Sequence, residues 1–352
     1  MGAFASAPLE APVASDVVTD AARRSEDFDV VGIGNALVDV LTHEDDAFLT
    51  ANGLTKGAMT LIDTDRVEVL YAAMGPGIEA SGGSAANTIS GVASFGGRAA
   101  YIGRIHDDDL GTVFAHDLRS TGVTYRCLPR PDGPPTGRCL IVVTADAQRT
   151  MNTYLGASEL LGPDDVDAQL IAAAQVTFLE GYLFDRPEAQ EAYWKASRVA
   201  HEAGRRVSLT LSDTFCVERH KEAWRSLVAD QVDVLFANEE EALALYDVTT
   251  LDEVIELVRS DVDITAITCG PRGSLVVHGD EVIQVAAHPV PKVVDTTGAG
   301  DLYAAGFLFG LTSGRPLDAC GRLGSVAASA VLGHTGPRPG LSLAQTIDAL
   351  QL

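Results

Sequence analysis

The chain has 352 residues, 46% of them hydrophobic, and a formal net charge of -24 from 49 acidic and 25 basic residues. So acidic a surface argues against sequence-independent nucleic-acid binding, which requires positive charge, and no apolar run reaches the roughly 18–20 residues of a membrane span. The length fits one large α/β domain with a small attachment. The five cysteines form no CxxC pair, as is typical of reduced thiols in a cytoplasmic protein.

The first 26 residues, MGAFASAPLEAPVASDVVTDAARRSE, are rich in Ala, Pro and acidic residues. They have neither the basic nor the apolar region of a secretory signal, so we expect a disordered tail over residues 1–26. The start MGAFAS fits the myristoylation pattern, but no polybasic patch accompanies it. We therefore expect no membrane partner and a cytoplasmic location, with a folded domain over residues 27–352.

Beyond the tail, apolar runs alternate with helix-like segments. FDVVGIG (28–34) is typical of a buried strand, NTISGVASFGG (87–97) of a helix that ends on glycine, RAAYIGRI (98–105) of a strand and LGTVFAHDLRSTG (110–122) of a helix. The alternation continues through QVTFLEGYLF, PEAQEAYWKASRVAHEAG, RRVSLTLS, RHKEAWRSLVAD, VDVLFAN, EEEALALY and ITAITCG. Such alternation predicts an α/β fold with a mostly parallel central sheet and helices on both faces.

Two regions break this alternation. Residues 53–62 and 124–155 read as short strands joined by turns rich in Pro and Gly. Consecutive strands without crossover helices predict a small antiparallel sheet beside the main domain, with segments at approximately 40–62 and 124–155. A small sheet of this kind, hinged over a cleft, would act as a lid.

The segment VVDTTGAGDLYAAGFLFGL (293–311) places flexible residues between two carboxylates at a predicted helix start. Glycines allow successive N–H groups to converge, and a helix N-terminus binds anions. Gly298, Ala299 and Gly300 could then hold a transferring phosphoryl group. Asp301 could accept the proton of an attacking hydroxyl. A glycine-rich helix start with Asp301 as a plain cap would give the same pattern.

Two further stretches, GNALVD (34–39) and SGGSAANT (81–88), carry polar residues at the predicted ends of elements. Asn35 and Asp39 stand beyond the first strand, where ligands bind in open α/β sheets, and a carboxylate can accept from two adjacent sugar hydroxyls. Loop or capping roles would also explain these residues. No GxxxxGK[ST] occurs, and Leu37 replaces the third glycine of a dinucleotide-binding motif, which argues against both of those phosphate sites.

Several motifs together resemble one family. DTTGAGD (295–301) matches DTxGAGD at every fixed position, and DTTGAGDLYAAGFLFGL resembles the signature of the ribokinase-like (PfkB-type) kinases. GNALVD and GGSAANT are similar to the sugar-binding motifs of the adenosine kinase-like branch. AQRTMNTYLGAS (147–158), LTLSDTF (209–215) and VDVLFANEEEA (232–242) also resemble that branch. The resemblance covers roughly residues 28–340 and implies a ribokinase-like fold with a small β lid.

At the acceptor end, the resemblance implies that Asp39 and Asn87 hold ribose hydroxyls and that Arg149 clamps phosphate when the lid closes. The residues expected to bind the acceptor substrate are Asn35, Asp39, Gly83, Ser84, Asn87 and Arg149. From the residues alone, Ser84 could equally cap a helix, and Arg149 could be a solvated strand charge.

At the nucleotide end, the resemblance implies an ATP site in which the NxxE pattern of Asn238 and Glu241 helps to organise Mg²⁺, with Glu241 acting through water. The residues expected to bind ATP are Asn238, Thr268, Gly270, Gly273, Asp295 and Thr296. GHTGPRP (333–339) would flank the nucleotide base, and a monovalent cation such as K⁺ near Asp295 is left open. An acidic helix start and an ordinary β-turn are the alternatives for the NxxE and TCGPRG (268–273) patterns.

The resemblance implies an ATP-dependent kinase that phosphorylates the ribose 5′-hydroxyl of a nucleoside, with adenosine the first expectation and purine salvage the setting. The alternatives are a sugar kinase for ribose or fructose, an inosine or guanosine kinase, and a nucleoside-binding regulator without catalysis. The expected partners are a small-molecule nucleoside and ATP, with no nucleic acid. Both a monomer and a homodimer are compatible with the sequence.

Overall fold

The computed structural model describes residues 27–146, 148–334, 336–338 and 342–350. The expected tail over residues 1–26 lies outside these ranges. So do Ala147, at the start of the AQRTMNTYLGAS segment, and Thr335 and Pro339 of the GHTGPRP segment.

The described ranges contain strands of two sheets and the helices that cover them. The strands are β1 (Phe28–Ile33), β2 (Leu37–His43), β3 (Met59–Leu61), β4 (Ile78–Gly82), β5 (Ala99–Ile102), β6 (Thr124–Tyr125), β7 (Thr136–Val143), β8 (Arg149–Gly156), β9 (Ala174–Glu180), β10 (Arg206–Thr210), β11 (Val234–Asn238), β12 (Ile264–Thr268), β13 (Ser274–His278) and β14 (Glu281–Val285). The helices are α1 (Asp46–Ala51), α2 (Thr64–Ala73), α3 (Ser84–Ser94), α4 (Asp109–Ser120), α5 (Ala168–Ala172), α6 (Pro187–Glu202), α7 (Thr214–Arg219), α8 (Lys221–Gln231), α9 (Glu239–Tyr246), α10 (Leu251–Asp261), α11 (Ala299–Thr312), α12 (Leu317–Leu332) and α13 (Leu343–Leu350).

The large sheet has nine strands within the described ranges, in the order β14-β13-β12-β11-β10-β9-β1-β5-β6. All pairs from β12 to β6 are parallel, so the predicted mostly parallel sheet is confirmed. β13 and β14 add an antiparallel edge that the alternation did not predict. Because Gly270 and Gly273 adopt positive φ angles of 57° and 92°, the chain turns directly back after β12 without a crossover helix.

Helices cover both faces of this sheet, as predicted. Side chains alternate along each strand: Val30 packs in one core with α3, α4, α11 and α12, whereas Val31 packs in a second core with α6, α8, α9 and α10. Both valines are fully buried. Burying side chains of this size stabilises a fold by about 1.5–3 kcal/mol each, so the two cores hold the strand ends in place.

The second sheet has the order β3-β8-β7-β2-β4. Its pairings are mixed, because β2–β7 and β3–β8 are parallel while β2–β4 and β7–β8 are antiparallel. The prediction of an antiparallel sheet is therefore wrong in this detail. The chain passes through α3, β5, α4 and β6 of the main domain between β2 and β7, and a crossover of that length permits parallel pairing.

The extent of the second sheet also differs from the expected segments. β4 lies outside both segments, since its sequence IEASG lacks a run of β-branched or aromatic residues. β6 lies within the second segment but belongs to the large sheet, where it pairs with β5. Whether the small sheet moves as a lid stays a prediction.

Short connections bring the functional segments together. Only residues 34–36 separate β1 from β2, so one nearly continuous stretch passes from the large sheet to the small one. Gly83 precedes α3 and Gly298 precedes α11, both with positive φ, and each helix therefore starts abruptly beside the gap between the sheets. Among the described residues, no helix combines the length and apolarity needed to cross a bilayer.

Candidate active site

A cavity of about 510 Å³ lies between the small sheet and the carboxyl ends of the parallel strands. Asn35, just beyond β1, lines one part of it, and Asn238, at the end of β11, lines another. β1 and β11 are three strands apart in the sheet, a separation of about 14 Å at the usual strand spacing. The cavity therefore extends across the carboxyl ends of several neighbouring strands, from the end of β1 to the end of β11.

Asp301 stands in the first turn of α11 and lines the cavity. Its two carboxylate oxygens accept hydrogen bonds from Ser84 Oγ at 2.6 Å and from Asn87 Nδ2 at 3.0 Å. Burial raises the pKa of Asp301 above its ordinary value, while the bonds from Ser84 and Asn87 oppose that shift. A carboxylate with a raised pKa, held by two donors, suits a general base. The predicted residues Ser84 and Asn87 thus meet the predicted base.

The three predicted phosphoryl-binding amides differ in the structure. Gly298 and Gly300 line the cavity. Gly298 has a φ of 77°, and a side chain there would meet Pro337. The N–H of Ala299 instead donates to the carbonyl of Thr296 at 3.3 Å, and Ala299 is not among the cavity-lining residues. We therefore revise the predicted anion site to the Gly298 and Gly300 amides at the N-terminus of α11.

Asp39 is on β2 and faces the cavity. A side chain at the neighbouring Gly82 would collide with the Asp39 carboxylate, so this glycine leaves room for it. Burial raises the pKa of Asp39 to about 6, against the lowering effect of Arg338 and Arg149. At neutral pH the carboxylate is therefore mainly ionised and able to accept hydrogen bonds from hydroxyl groups.

Asn35 lines the cavity, but its side chain is occupied by protein partners. Its Nδ2 donates to Glu180 Oε1 at 2.8 Å, and its Oδ1 accepts from Ser158 Oγ at 3.0 Å. Glu180 also accepts from the backbone N–H groups of Asn35 and Ala85. Asn35 thus joins the end of β1 to the end of β9 and to Ser158, which follows β8. Its predicted role as a direct substrate ligand stays a prediction.

Glu180 is a candidate site residue that the sequence did not reveal. It is 1% exposed and lines the cavity, and burial raises its pKa to about 7. The signal in the sequence is the acidic residue that directly follows the apolar run in QVTFLE. Carboxylates are rarely fully buried unless they are paired with other groups. Through its bond to Ala85, Glu180 holds the first turn of α3, the turn that carries Ser84 and Asn87.

Arg149, at the start of β8, reaches from the small sheet to the loop before α11. Its Nη1 lies 2.9 Å from Asp295 Oδ2 and 3.0 Å from Thr297 Oγ1, and its side chain is 8% exposed. Asp295 also accepts from the N–H groups of Thr297 and Gly336. Neither Arg149 nor Asp295 is among the cavity-lining residues. The positively charged guanidinium of Arg149 beside Asp295 disfavours binding of a second cation at that carboxylate. The monovalent-cation site near Asp295 stays a prediction.

Asn238 and Glu241 form a capping box at the start of α9. Asn238 accepts from the Glu241 N–H, while Glu241 accepts from the backbone N–H and the Nδ2 of Asn238. Both residues line the cavity. Burial raises the pKa of Glu241 to about 7. The pattern is thus a helix cap, as the alternative interpretation held, and it also places a carboxylate at the predicted nucleotide end.

The carboxylates near Asn238 in the cavity are compatible with Mg²⁺. Among the described residues, no group of three or more His, Cys, Asp and Glu side chains is placed to hold a metal ion. Mg²⁺ in kinases keeps several waters and is held by one or two carboxylates together with substrate phosphates. The Glu241 carboxylate, with Asp213 also lining the cavity, meets that requirement.

The other predicted nucleotide residues separate into two groups. Thr268 and Thr296 line the cavity, whereas Gly270 and Gly273 are not among the lining residues and shape the turn between β12 and β13. The described part of GHTGPRP contacts residues predicted for both ends of the cavity: the Gly336 N–H donates to Asp295, and Arg338 Nε lies 3.4 Å from Asn87 Oδ1. The expectation that this segment flanks the nucleotide base stays a prediction, and the segment also contacts Asn87 of the predicted acceptor site.

The small sheet covers the cavity with an apolar face that the motifs did not reveal. Alternate residues of β2, β3, β7 and β8 point to it, namely Leu37, Met59, Leu61, Cys139, Ile141, Met151 and Leu155. The period of two along each strand is the signal that could have identified them. Tyr182, Phe215 and Phe236 add aromatic surface from the main domain, so the cavity combines apolar walls with a few polar groups, as small-molecule sites do.

A glycine-rich helix start with a carboxylate in its first turn, facing a cavity between two sheets, is the arrangement expected of a small-molecule kinase. Residues 77–343 match the pfkB family carbohydrate kinases, and the chain belongs to that family. It is therefore an ATP-dependent phosphotransferase of the nucleoside and sugar kinase type, and the predicted family is confirmed.

Similar proteins include both nucleoside and sugar kinases. An adenosine kinase from Sinorhizobium meliloti is 52% identical, with a TM-score of 0.86 over 92% of this chain and 99% of that one. A "probable sugar kinase protein" from Rhizobium etli is 48% identical, with a TM-score of 0.87 over 93% of this chain and 99% of that one. The 5-dehydro-2-deoxygluconokinase of Bacillus subtilis is 29% identical over 76% of this chain and 86% of that protein.

Proposed function

We propose that this protein is an adenosine kinase that transfers the γ-phosphoryl group of ATP to the ribose 5′-hydroxyl of adenosine. The observation that carries this proposal is the shared cavity, in which Asp39 and the base Asp301 lie beneath the apolar face of the small sheet. The carboxylates suit a sugar diol and its reacting hydroxyl, while the apolar face suits a purine ring. The 52% identical adenosine kinase supports the same acceptor.

In the proposed reaction, the 5′-hydroxyl oxygen forms a bond to the γ-phosphorus of ATP while the bond from that phosphorus to the β–γ bridging oxygen breaks. The hydroxyl proton passes to the Asp301 carboxylate, and ADP leaves with the bridging oxygen. The Gly298 and Gly300 amides stabilise charge on the moving phosphoryl group. Arg149 adds a positive charge beside Thr297, the residue directly before Gly298.

When bound, Mg²⁺ neutralises charge on the ATP phosphates. We assign its outer contacts to Glu241, acting through water, with Asn238 holding that carboxylate in place. Thr268 and Thr296 complete the nucleotide end of the cavity. The reaction would serve purine salvage in the cytoplasm, where ATP is supplied.

The apolar cover favours a nucleoside over a bare sugar. Leu37, Met151 and Leu155 present no side-chain hydrogen-bond donor for a hydroxyl-rich acceptor. A sugar acid, the acceptor type named for the Bacillus subtilis relative, would place its carboxylate in a cavity that already holds Asp39 and Asp301, and like charges repel. A purine ring gains instead from burial against apolar and aromatic surface.

The test is ADP release with Mg-ATP and a panel of acceptors: adenosine, inosine, guanosine, ribose, fructose and 5-dehydro-2-deoxygluconate. We expect turnover with adenosine. 5′-Deoxyadenosine is the matched control, because it keeps the base and the ribose diol but lacks the accepting hydroxyl. It should inhibit competitively without releasing ADP. Turnover with a sugar but not with adenosine would overturn the proposal, and binding of adenosine without turnover would indicate a regulator.

A further inference from the structure

Arg338 lies behind the acceptor end of the cavity, in the segment that follows α12. Its Nη1 is 3.2 Å from Asp117 Oδ2 on α4, and its Nε is 3.4 Å from Asn87 Oδ1 on α3. The side chain is 18% exposed, and its Nη2 is buried without a hydrogen-bond partner. Asp117 also accepts from the N–H and the hydroxyl of Ser81, so the ion pair joins three parts of the chain.

The contact with Asn87 determines which way that amide faces. A guanidinium can only donate hydrogen bonds, so Asn87 must present its oxygen to Arg338. Its Nδ2 is then directed to Asp301, to which it donates at 3.0 Å. With the amide reversed, the Asn87 oxygen would face the Asp301 carboxylate, and two acceptors cannot bond. Arg338 therefore selects the Asn87 orientation that holds the proposed base.

Arg338 also acts on Asp39 through its charge. The charged and titratable groups that face Asp39 are Arg338 and Arg149, which lower its pKa, and Asp301, which raises it. The Cys139 thiol of β7 is a further neighbour of Asp39. Of the two cations, Arg338 has the larger effect on Asp39, although each is also paired with another carboxylate, Arg338 with Asp117 and Arg149 with Asp295.

We propose that Arg338 is a positioning residue of the acceptor site, which orients the Asn87 amide toward Asp301 and supplies positive charge behind Asp39. It touches neither of the reacting atoms. This inference rests on the proposed function only in treating Asp39, Asn87 and Asp301 as the acceptor site.

The experiment compares Arg338→Met and Arg338→Lys with the wild-type enzyme, using the panel acceptor that wild type phosphorylates best. Arg338→Met removes the donor and the charge, so KM for the acceptor should rise about tenfold, the effect of losing one charge-assisted hydrogen bond. KM for Mg-ATP should not change. The acidic limb of the kcat/KM profile should move to higher pH, because the pKa of Asp39 rises without the nearby cation.

Arg338→Lys keeps the charge but loses the planar group. It should return the acidic limb to the wild-type position while the acceptor KM stays raised. Arg119→Met is the matched control: Arg119 is on the same helix as Asp117, and both its Nε and Nη2 donate to the Tyr125 carbonyl. This control should lower the melting temperature without altering the acceptor KM or the pH profile.

The outcomes separate this inference from the proposed function. If Arg338→Met matches wild type in acceptor KM and acidic limb, or if it changes no more than Arg119→Met, Arg338 has only a structural role. An equal rise in KM for Mg-ATP would place its effect at the nucleotide end and overturn the inference. If wild type phosphorylates no acceptor, the proposed function fails first and the inference falls with it.

Discussion

Replacement of Asp301 by asparagine tests the assignment of the base with little disturbance of its surroundings. The wild-type carboxylate accepts from the Ser84 hydroxyl and from Asn87 Nδ2. In Asp301→Asn the new oxygen can accept from Asn87, while the new NH₂ can donate to Ser84, whose hydroxyl rotates to accept. Both contacts are kept, so the free energy of unfolding should change by less than about 1 kcal/mol.

The activity should change far more than the stability. An amide cannot take the hydroxyl proton, and general base catalysis contributes about 10²–10⁴-fold to a rate. We therefore expect kcat to fall by about that factor, which corresponds to roughly 3–5 kcal/mol in activation free energy. Burial raises the pKa of Asp301, so wild-type kcat at saturating adenosine should fall as the pH falls through that pKa, whereas the residual kcat of the variant should lack this dependence. The acidic limb of kcat/KM that comes from Asp39 should remain in the variant.

The assay is coupled ADP release with saturating Mg-ATP, together with calorimetric binding of adenosine and a thermal unfolding scan. Bound adenosine and an unchanged melting temperature would show that the cavity is intact. Near-normal turnover under those conditions would refute the assignment of Asp301 as the base. A loss of turnover together with a large drop in melting temperature would refute the argument that both hydrogen bonds survive.

Two further predictions concern the start of α11 and the cap of α9. Gly298→Ala should destabilise the fold by about 1–3 kcal/mol, because Gly298 has a φ of 77° and a side chain there would meet Pro337. Gly300→Ala is the control and should not destabilise the fold, because the space around that position is open. Equal melting temperatures of the two variants would contradict this prediction. Burial raises the folded-state pKa of Glu241 to about 7, above its ordinary value. The protonated form is therefore favoured by folding, and wild type should lose up to about 3 kcal/mol of stability at this group as the pH rises from about 4.5 to 7. Glu241→Gln should lack that loss, which urea unfolding at pH 5 and 8 without nucleotide or Mg²⁺ would measure; an identical pH dependence in both proteins would count against it.

The large sheet was predictable because its signals are local. Each central strand is a short apolar run followed by a helix with its own start signal, such as the Asn238–Glu241 cap of α9. The small sheet was harder, because its pairings join segments that are far apart in the chain. Thr136–Val143 pairs with Leu37–His43 across almost a hundred residues, and neither segment carries information on the direction of its partner. The mixed pairing could therefore not be predicted from the strand pattern.

The candidate site also combines residues that lie in one local motif with residues that only the fold brings together. DTTGAGD contains both the cavity-lining glycines and Asp301 within seven residues, so the sequence could identify them as candidates. The use of the Ala299 N–H by Thr296 could not be predicted, because it depends on the exact path of the turn. Glu180 and Arg338 act through contacts that span 95 and 251 residues. Their roles emerge only when the fold brings α3 beside β9 and the segment after α12.

The position of α11 has a consequence for how the protein is made. The candidate acceptor residues of β2 and α3 precede residue 95, whereas Asp301 and the cavity-lining glycines at the start of α11 come only after residue 297. α3 shares its core with α11 and α12, so that core closes only after both late helices have left the ribosome. A nascent chain therefore carries the candidate acceptor residues of β2 and α3 for a long stretch of synthesis before Asp301, the proposed base, is added.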